Sequence, residues 1–240
     1  MALGCVMPLC ARTNRALVVA IDEYPAGAGW NKIHATNDTR LVVPQFREMG
    51  YADDNISILI NEQAMKAAIT GQLRRLAKES AAGDFIYIHF SCHGQQMIDD
   101  NGDEPDGLDE ALIPYDARRR YEKGVYEGEN HLRDDELGVM LDAIRRKAGR
   151  GGNVVVVLDA CHSGTADRAA GEDIYVRGTT YVFAPTGAHI PEPDGTKTVM
   201  HARKGRAYAP MTVLSACGPE EVNYEYLDAE RCYYGSLTWA

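Results

Sequence analysis

The chain has 240 residues, 45% of them hydrophobic, and a formal net charge of −10 from 35 acidic and 25 basic side chains. That length and apolar share suit a globular chain with a sizeable core, while the acidic balance argues against nucleic acid and anionic membrane as partners and mildly for a basic ligand. Six cysteines at irregular spacing do not make a disulfide framework, which points to a reducing compartment and a cytoplasmic location, and no run approaches the ~20 apolar residues of a membrane span.

Residues 1–14 read as an N-terminal extension, apolar but without the basic start of a signal peptide and interrupted by Pro8. Ala16-Leu17-Val18-Val19-Ala20-Ile21 is the first buried strand, followed by a loop from Asp22 to Trp30. Thr36 or Asn37 is expected to cap a helix beginning at Asp38, with Leu41, Val42, Phe46 and Met49 as its apolar face. Pro44 is expected to kink that helix, and Gly50 to close it. Ile56-Ser57-Ile58-Leu59-Ile60 is the next strand, after which Asn61 is expected to cap a helix reaching about Ser80. Phe85-Ile86-Tyr87-Ile88-His89-Phe90 is again strand-like.

An acidic loop follows over 99–110; it is no EF-hand, because Glu104 stands where the loop geometry demands glycine. Ala111 to Pro114 is a short apolar piece and 116–132 a polar connection. Asp134 or Asp135 starts a helix with Leu137, Met140, Leu141 and Ile144 on one face, acids first and Arg145, Arg146 and Lys147 last, as the helix dipole favours. Val154-Val155-Val156-Val157-Leu158 reads as a strand buried on both faces. Residues 165–209 form a long irregular stretch in which Val176 to Phe183 is expected to make a short hairpin, and Met211 to Ala216 is a final central strand. Strands alternating with helices predict an α/β fold: a mostly parallel central sheet with helices on both faces.

Chemistry concentrates at two strand ends, where open α/β sheets bind their ligands. Phe85–Phe90 runs into Ser91-Cys92-His93-Gly94, and Val154–Leu158 into Asp159-Ala160-Cys161-His162-Ser163-Gly164. If the two strands run parallel, His93 and Cys161 meet. Cys161 can supply a thiolate and His93 a general acid and base, while the N–H groups of Gly94 and Cys161 can hold an oxyanion. His162 is less suited, since neighbours along a strand point to opposite faces. Three readings are open on these residues: a cysteine peptidase, an inactive module used for binding, and a thiol redox or metal protein. The last lacks any Cys-x-x-Cys or helical His pair.

These two motifs resemble those of the metacaspases, and the closest grouping is the prokaryotic metacaspase-like proteins called orthocaspases. Asn37-Asp38, Asp106-Gly107-Leu108-Asp109-Glu110, Asp134-Asp135-Glu136-Leu137 and Leu214-Ser215-Ala216-Cys217 fall in the family's order; Cys92 departs from it, standing where glycine is usual. The resemblance covers about residues 15–240. It implies a caspase-like three-layer sandwich, with a large-subunit-like region over 15–164, a linker loop over 165–209 and a small-subunit-like region over 210–240 that is C-terminally incomplete. It implies a His93–Cys161 dyad cleaving peptide bonds after Arg or Lys, with Asp38, Ser91 and Asp159 lining the pocket for the basic side chain. Asp159 stands two residues before Cys161, so an extended strand puts both on one side.

The resemblance further implies no cofactor for the chemistry itself but a Ca2+ ion held by Asp109, Asp134 and Asp135. The expected partners are protein or peptide substrates with a basic residue before the cut, acted on by a monomer or a processed two-piece monomer. The basic residues of the 165–209 loop are what such a pocket accepts, so activation by processing is expected there, at Arg203, Lys204 or Arg206.

Overall fold

The computed structural model describes residues 12–102, 104–162, 174–191, 207–218 and 221–240. Its centre is a five-stranded, all-parallel sheet in the order β2-β1-β3-β7-β8, built from β1 (Asn14–Ala20), β2 (Ile56–Ile60), β3 (Phe85–Ser91), β7 (Asn153–Asp159) and β8 (Met211–Ser215). The apolar runs named above are these strands; Met211–Ser215 lies at the edge of the sheet, not within it.

Alternation along the strands divides the core in two, because successive side chains point to opposite faces. Leu17, Val19, Ile86, Ile88, Phe90, Val154, Val156 and Leu158 face α2 (Lys66–Glu79) and α3 (Asp134–Ala148), where they meet Leu73, Leu76, Leu141 and Ile144. Ala16 and Val18 face the other way, against Phe46 of α1 (Ala35–Glu48) and Tyr51. The three-layer α/β sandwich expected from the sequence is the observed architecture.

Several local expectations differ. The first helix starts at Ala35 and runs through Pro44, because Asp22 takes the Thr36 N–H at 2.5 Å and the Thr36 hydroxyl, leaving no capping role for Thr36. Asn61 opens a short 3-10 turn, not α2; its φ is +47° and its side-chain oxygen accepts from the Asp22 N–H at 2.8 Å. β4 (Gly94–Ile98) and β5 (Leu108–Leu112) pair antiparallel, and β6 (Leu132–Arg133) extends them into a second small sheet. The expected hairpin over Val176–Phe183 is absent: Val176 bridges to Tyr224 and Phe183 to Met97, so the segment's two ends pair with different parts of the chain. β9 (Glu225–Leu227) and β10 (Tyr233–Gly235) form a two-stranded ribbon leading into a short helical turn, α4 (Ser236–Trp239).

Ile88 is fully buried at the centre of the larger core, whereas Val139 on α3 is 70% exposed. Ile88→Ala should therefore lower the unfolding free energy by about 2–5 kcal/mol and Val139→Ala by no more than about 0.5 kcal/mol, read by urea denaturation.

Candidate active site

Strand register brings the two motifs together. Ser91 pairs with Asp159 as the last rung between β3 and β7, so His93 and Cys161 each stand two residues past the same rung, on neighbouring chains. The Cα of Gly94 lies flush against Cys161: a Cβ there would sit 2.7 Å from the Cys161 carbonyl oxygen and 2.8 Å from the His162 ring. Only glycine fits this close approach of backbone to backbone.

His93 is buried, and its tautomer is fixed by its partner. Nε2 lies 2.8 Å from the carbonyl oxygen of Asn31; a carbonyl only accepts, so Nε2 carries the proton and Nδ1 is the acceptor. Nδ1 is buried and makes no hydrogen bond. Trp30 stacks on the ring at 5.0 Å between centroids, and the Tyr24 hydroxyl accepts from the His93 N–H at 3.2 Å while donating to Ile113. Burial pushes His93 down to about 4, the Asn31 carbonyl opposing it and the Arg177 and Arg119 charges adding to it. A neutral imidazole with a free acceptor nitrogen is the state a general base needs. The loop from Asp22 to Trp30 therefore supplies the cradle of His93, a role its composition did not reveal.

The Cys161 thiol donates to the Glu221 carbonyl at 2.7 Å. Cys217 sits beside it, its own ionisation pushed far up by a hydrogen bond with Cys161 and by burial. Cys92, three positions from Gln95 in the other motif, is a contrasting thiol: burial raises it to about 12, so it behaves as a small core side chain. The His162 ring lies against Gly94 and lines a small cavity with Glu110, Leu112, Leu132, Asp134, Leu137 and Leu158.

Asp38, Ser91 and Asp159 converge as expected, each fully buried. What binds them is the chain's own Arg177, also 0% exposed. Its Nη1 is 2.6 Å from Asp38, 2.5 Å from the Ser91 hydroxyl and 3.5 Å from Asp159; Nε and Nη2 reach Glu225 at 3.1 and 3.0 Å. Burial disfavours the guanidinium charge, but Asp38, Asp159 and Glu225 more than offset it and hold the group ionised. Asp38 also accepts from the Gly235 N–H at 2.9 Å, and Asp159 from Asn223 at 2.7 Å and the Thr238 hydroxyl at 2.5 Å. Asp159 also accepts the Thr238 N–H at 2.8 Å and so satisfies the first turn of α4. Glu225 is a further member of the pocket that lay outside the motifs.

The backbone of Arg177 is held as firmly as its side chain. Its carbonyl oxygen accepts from the Cys161 N–H at 2.7 Å and the Gly94 N–H at 3.3 Å, and its N–H donates to Asn223 at 3.0 Å. The two expected oxyanion donors thus aim at one point, and a peptide carbonyl occupies it.

The three expected calcium ligands are engaged differently. Asp109 groups with Asp99 and Asp100, and Arg133 binds both Asp109 and Asp100. Asp134 is grouped instead with other acids: burial, then the charges of Glu110, Asp135 and Glu104, push it up to about 7, and its Oδ1 is buried without a hydrogen bond. Arg203, Lys204 and Arg206 lie outside the described residues.

The profile of the family described as "Metacaspase, peptidase C14 domain" matches residues 14–168. The chain is 31% identical over 166 residues to metacaspase III c of Phaeodactylum tricornutum, covering 67% of this chain and 45% of that protein. It is 37% identical over 125 residues to metacaspase-3 of Arabidopsis thaliana, covering 50% of this chain and 31% of that one. It spans less than half the length of these curated relatives. Among solved structures, protein GSU0716 of Geobacter sulfurreducens matches with a TM-score of 0.62 over 95% of this chain and 79% of that chain, at 22% identity, a likeness of fold.

Buried neutral histidines also set an acid limit. His131, between the Tyr126 hydroxyl and the Gln95 side-chain oxygen at 2.9 Å each, is pushed down by burial to about 3. With His93 near 4, both bind fewer protons folded than unfolded once pH falls below about 6.5. Stability should therefore drop as pH goes from 6.5 towards 4, each histidine costing on the order of 3 kcal/mol when the effect is complete. Urea denaturation at stepped pH reads this, and His131→Gln should make the drop shallower.

Proposed function

Because this chain belongs to the metacaspase family, whose profile spans residues 14–168, we propose that it is a cysteine endopeptidase cutting after arginine or lysine through His93 and Cys161. The observation that carries the reading is the guanidinium of Arg177, fully buried among Asp38, Asp159 and Glu225 with its carbonyl on the N–H groups of Cys161 and Gly94. A pocket with three carboxylates and the Ser91 hydroxyl would leave an Asp or Glu side chain repelled and an apolar one unable to satisfy the acids. Arginine, planar and always charged, matches it best, and lysine can bring the charge without the fork.

In this mechanism Nδ1 of His93 takes the thiol proton, and the Cys161 sulfur attacks the substrate carbonyl carbon. The N–H groups of Cys161 and Gly94 receive the developing oxyanion, which needs no rearrangement because they already point at a carbonyl oxygen. His93 then gives the proton to the leaving amine, and water hydrolyses the thioester. The Asn31 carbonyl keeps the ring in the tautomer that does this. An outside substrate reaches the pocket only when Arg177 leaves it, so the segment around Arg177 governs access.

We propose Ca2+ as an accessory ion with no part in bond breaking. What supports it is the unsatisfied Asp134 oxygen beside Glu110, Asp135 and Glu104, a set of hard oxygens whose mutual repulsion a divalent cation would relieve.

Fluorogenic peptides with Arg, Lys or Asp before the cut test the specificity. Turnover should follow Arg and Lys with none after Asp, and preference for Asp would end this reading. His93→Ala should lower kcat/KM by about 100-fold or more, and Cys161→Ala should abolish turnover. Asp159→Asn should lower it about 100-fold for Arg peptides. EDTA-treated protein should gain activity on adding CaCl2, and Asp134→Asn should remove that gain.

A further inference from the structure

The segment that fills the acidic pocket brings a second side chain with it. Tyr175-Val176-Arg177 lies alongside Asn223–Glu225: the Glu225 N–H donates to the Tyr175 carbonyl at 2.9 Å, the Arg177 N–H to the Asn223 carbonyl at 3.0 Å, and Val176 is bridged antiparallel to Tyr224. Both bonds are backbone to backbone, so any extended peptide can make them. Side chains alternate along an extended chain. Tyr175 therefore points to the same side as Arg177, and the buried Val176 turns the other way.

What Tyr175 meets there is aromatic on two sides. Its ring is edge-on to His34 at 4.4 Å between centroids and inclined at 67° to Tyr233 at 4.7 Å, while His34 and Tyr233 stack on each other at 4.9 Å. Edge-to-face and offset-stacked rings are the arrangements that the ring quadrupole favours. The two walls belong to the fold and not to the segment. His34 stands just before α1, and Glu225 fixes it twice: Oε1 accepts from the His34 N–H and Oε2 from Nδ1, each at 2.8 Å. Tyr233 is on β10, paired with Leu227 of β9, and its carbonyl accepts from the Asn37 side chain at 2.9 Å. Glu225 also takes Nε and Nη2 of Arg177. One carboxylate thus sets the spacing between the charge pocket and the aromatic one.

We propose that His34 and Tyr233 form a subsite for an aromatic side chain two residues before the basic one, so that this peptidase selects substrates of the pattern aromatic–x–Arg or aromatic–x–Lys. The proposal rests on the peptidase reading above and deepens it by naming what the substrate carries besides its charge. The segment from Tyr175 to Arg177 is the template. An outside peptide that takes its place pairs with Asn223–Glu225 through its backbone, brings its basic side chain to the acids and lays its ring against His34 and Tyr233. An alanine at the aromatic position keeps the backbone bonds and the charge but leaves those two rings without a partner. The added contact holds in the transition state as well as in the bound substrate, so it raises kcat/KM.

The test compares two fluorogenic peptides, acetyl-Tyr-Val-Arg and acetyl-Ala-Val-Arg, on the purified full chain. Wild type should cut the Tyr peptide with a kcat/KM about 10-fold above that for the Ala peptide. Both peptides displace the same segment of the chain, so the cost of displacement cancels in the ratio. Tyr233→Ala should bring the ratio to within about 2-fold of unity, whereas Tyr233→Phe, which keeps the ring, should preserve it; circular dichroism confirms that both variants fold. A general loss of structure would slow both peptides alike and leave the ratio where it was. Equal kcat/KM for the two peptides in wild type would overturn the proposal and leave the peptidase reading standing. So would a folded Tyr233→Ala protein that keeps the full preference. Protein that turns over neither peptide would overturn both.

Discussion

The site is organised around one buried cation. Asp38 comes from α1, Ser91 from the end of β3, Asp159 from the end of β7 and Glu225 from β9, and the Arg177 guanidinium touches all four. Three carboxylates gathered at 0% side-chain exposure would repel each other and lose their hydration if nothing opposed them. Removing one partner of a buried pair commonly costs about 3–5 kcal/mol because the other charge is left uncompensated. The pocket and its occupant therefore form one electrostatic unit. That unit ties the central sheet to the ribbon of β9 and β10 and to the turn of α4, whose Thr238 binds Asp159.

The same unit joins the acidic pocket to the backbone of the Cys161 motif. Asp159 is on the last rung of β7 and Cys161 two residues beyond it, so a guanidinium anchored on Asp159 brings its carbonyl onto the Cys161 N–H. Gly94 reaches the same oxygen from β3's side through the parallel pairing of the two strands. The acidic pocket and the N–H pair of Cys161 and Gly94 are a fixed distance apart because both hang from one rung of the sheet. Position also separates residues of one type: Cys92 lies in the core as an inert thiol, while Cys161 stands at the strand end under the Arg177 carbonyl. His93 keeps a free ring nitrogen, whereas both nitrogens of His131 are engaged.

Much of this was legible in the chain before any coordinates. Five apolar runs with the right punctuation gave all five strands of the central sheet, because burial on both faces leaves a local signature of branched residues. The two motifs at adjoining strand ends gave His93, Gly94, Cys161, Asp159 and Ser91, because the parallel register that joins them follows from the strand–helix alternation. The start of α2 was misplaced since Asn61 looks like a cap but its side chain serves the Asp22 N–H across space. β4 was overlooked because Gly94-Gln95-Gln96-Met97-Ile98 carries no apolar alternation, though its partner β5 hides it from water. The calcium set of Asp109, Asp134 and Asp135 rests on likeness alone; Arg133 engages Asp109, while Asp134 lies beside Asp135, Glu110 and Glu104.

What the sequence determined by itself was the layered α/β architecture and the placing of His93 and Cys161 just past the ends of neighbouring strands, since periodicity and motif order are local properties of the chain. What only the tertiary structure decided was the occupant of the acidic pocket. Arg177 is one of several basic residues in an irregular stretch, and no local pattern distinguishes it from Arg168 or Arg203. It is selected by long-range terms of the fold, namely strand pairing of Tyr175–Arg177 with Asn223–Glu225 and the convergence of three distant carboxylates, and charge pairing across such separations leaves no trace in the neighbouring residues.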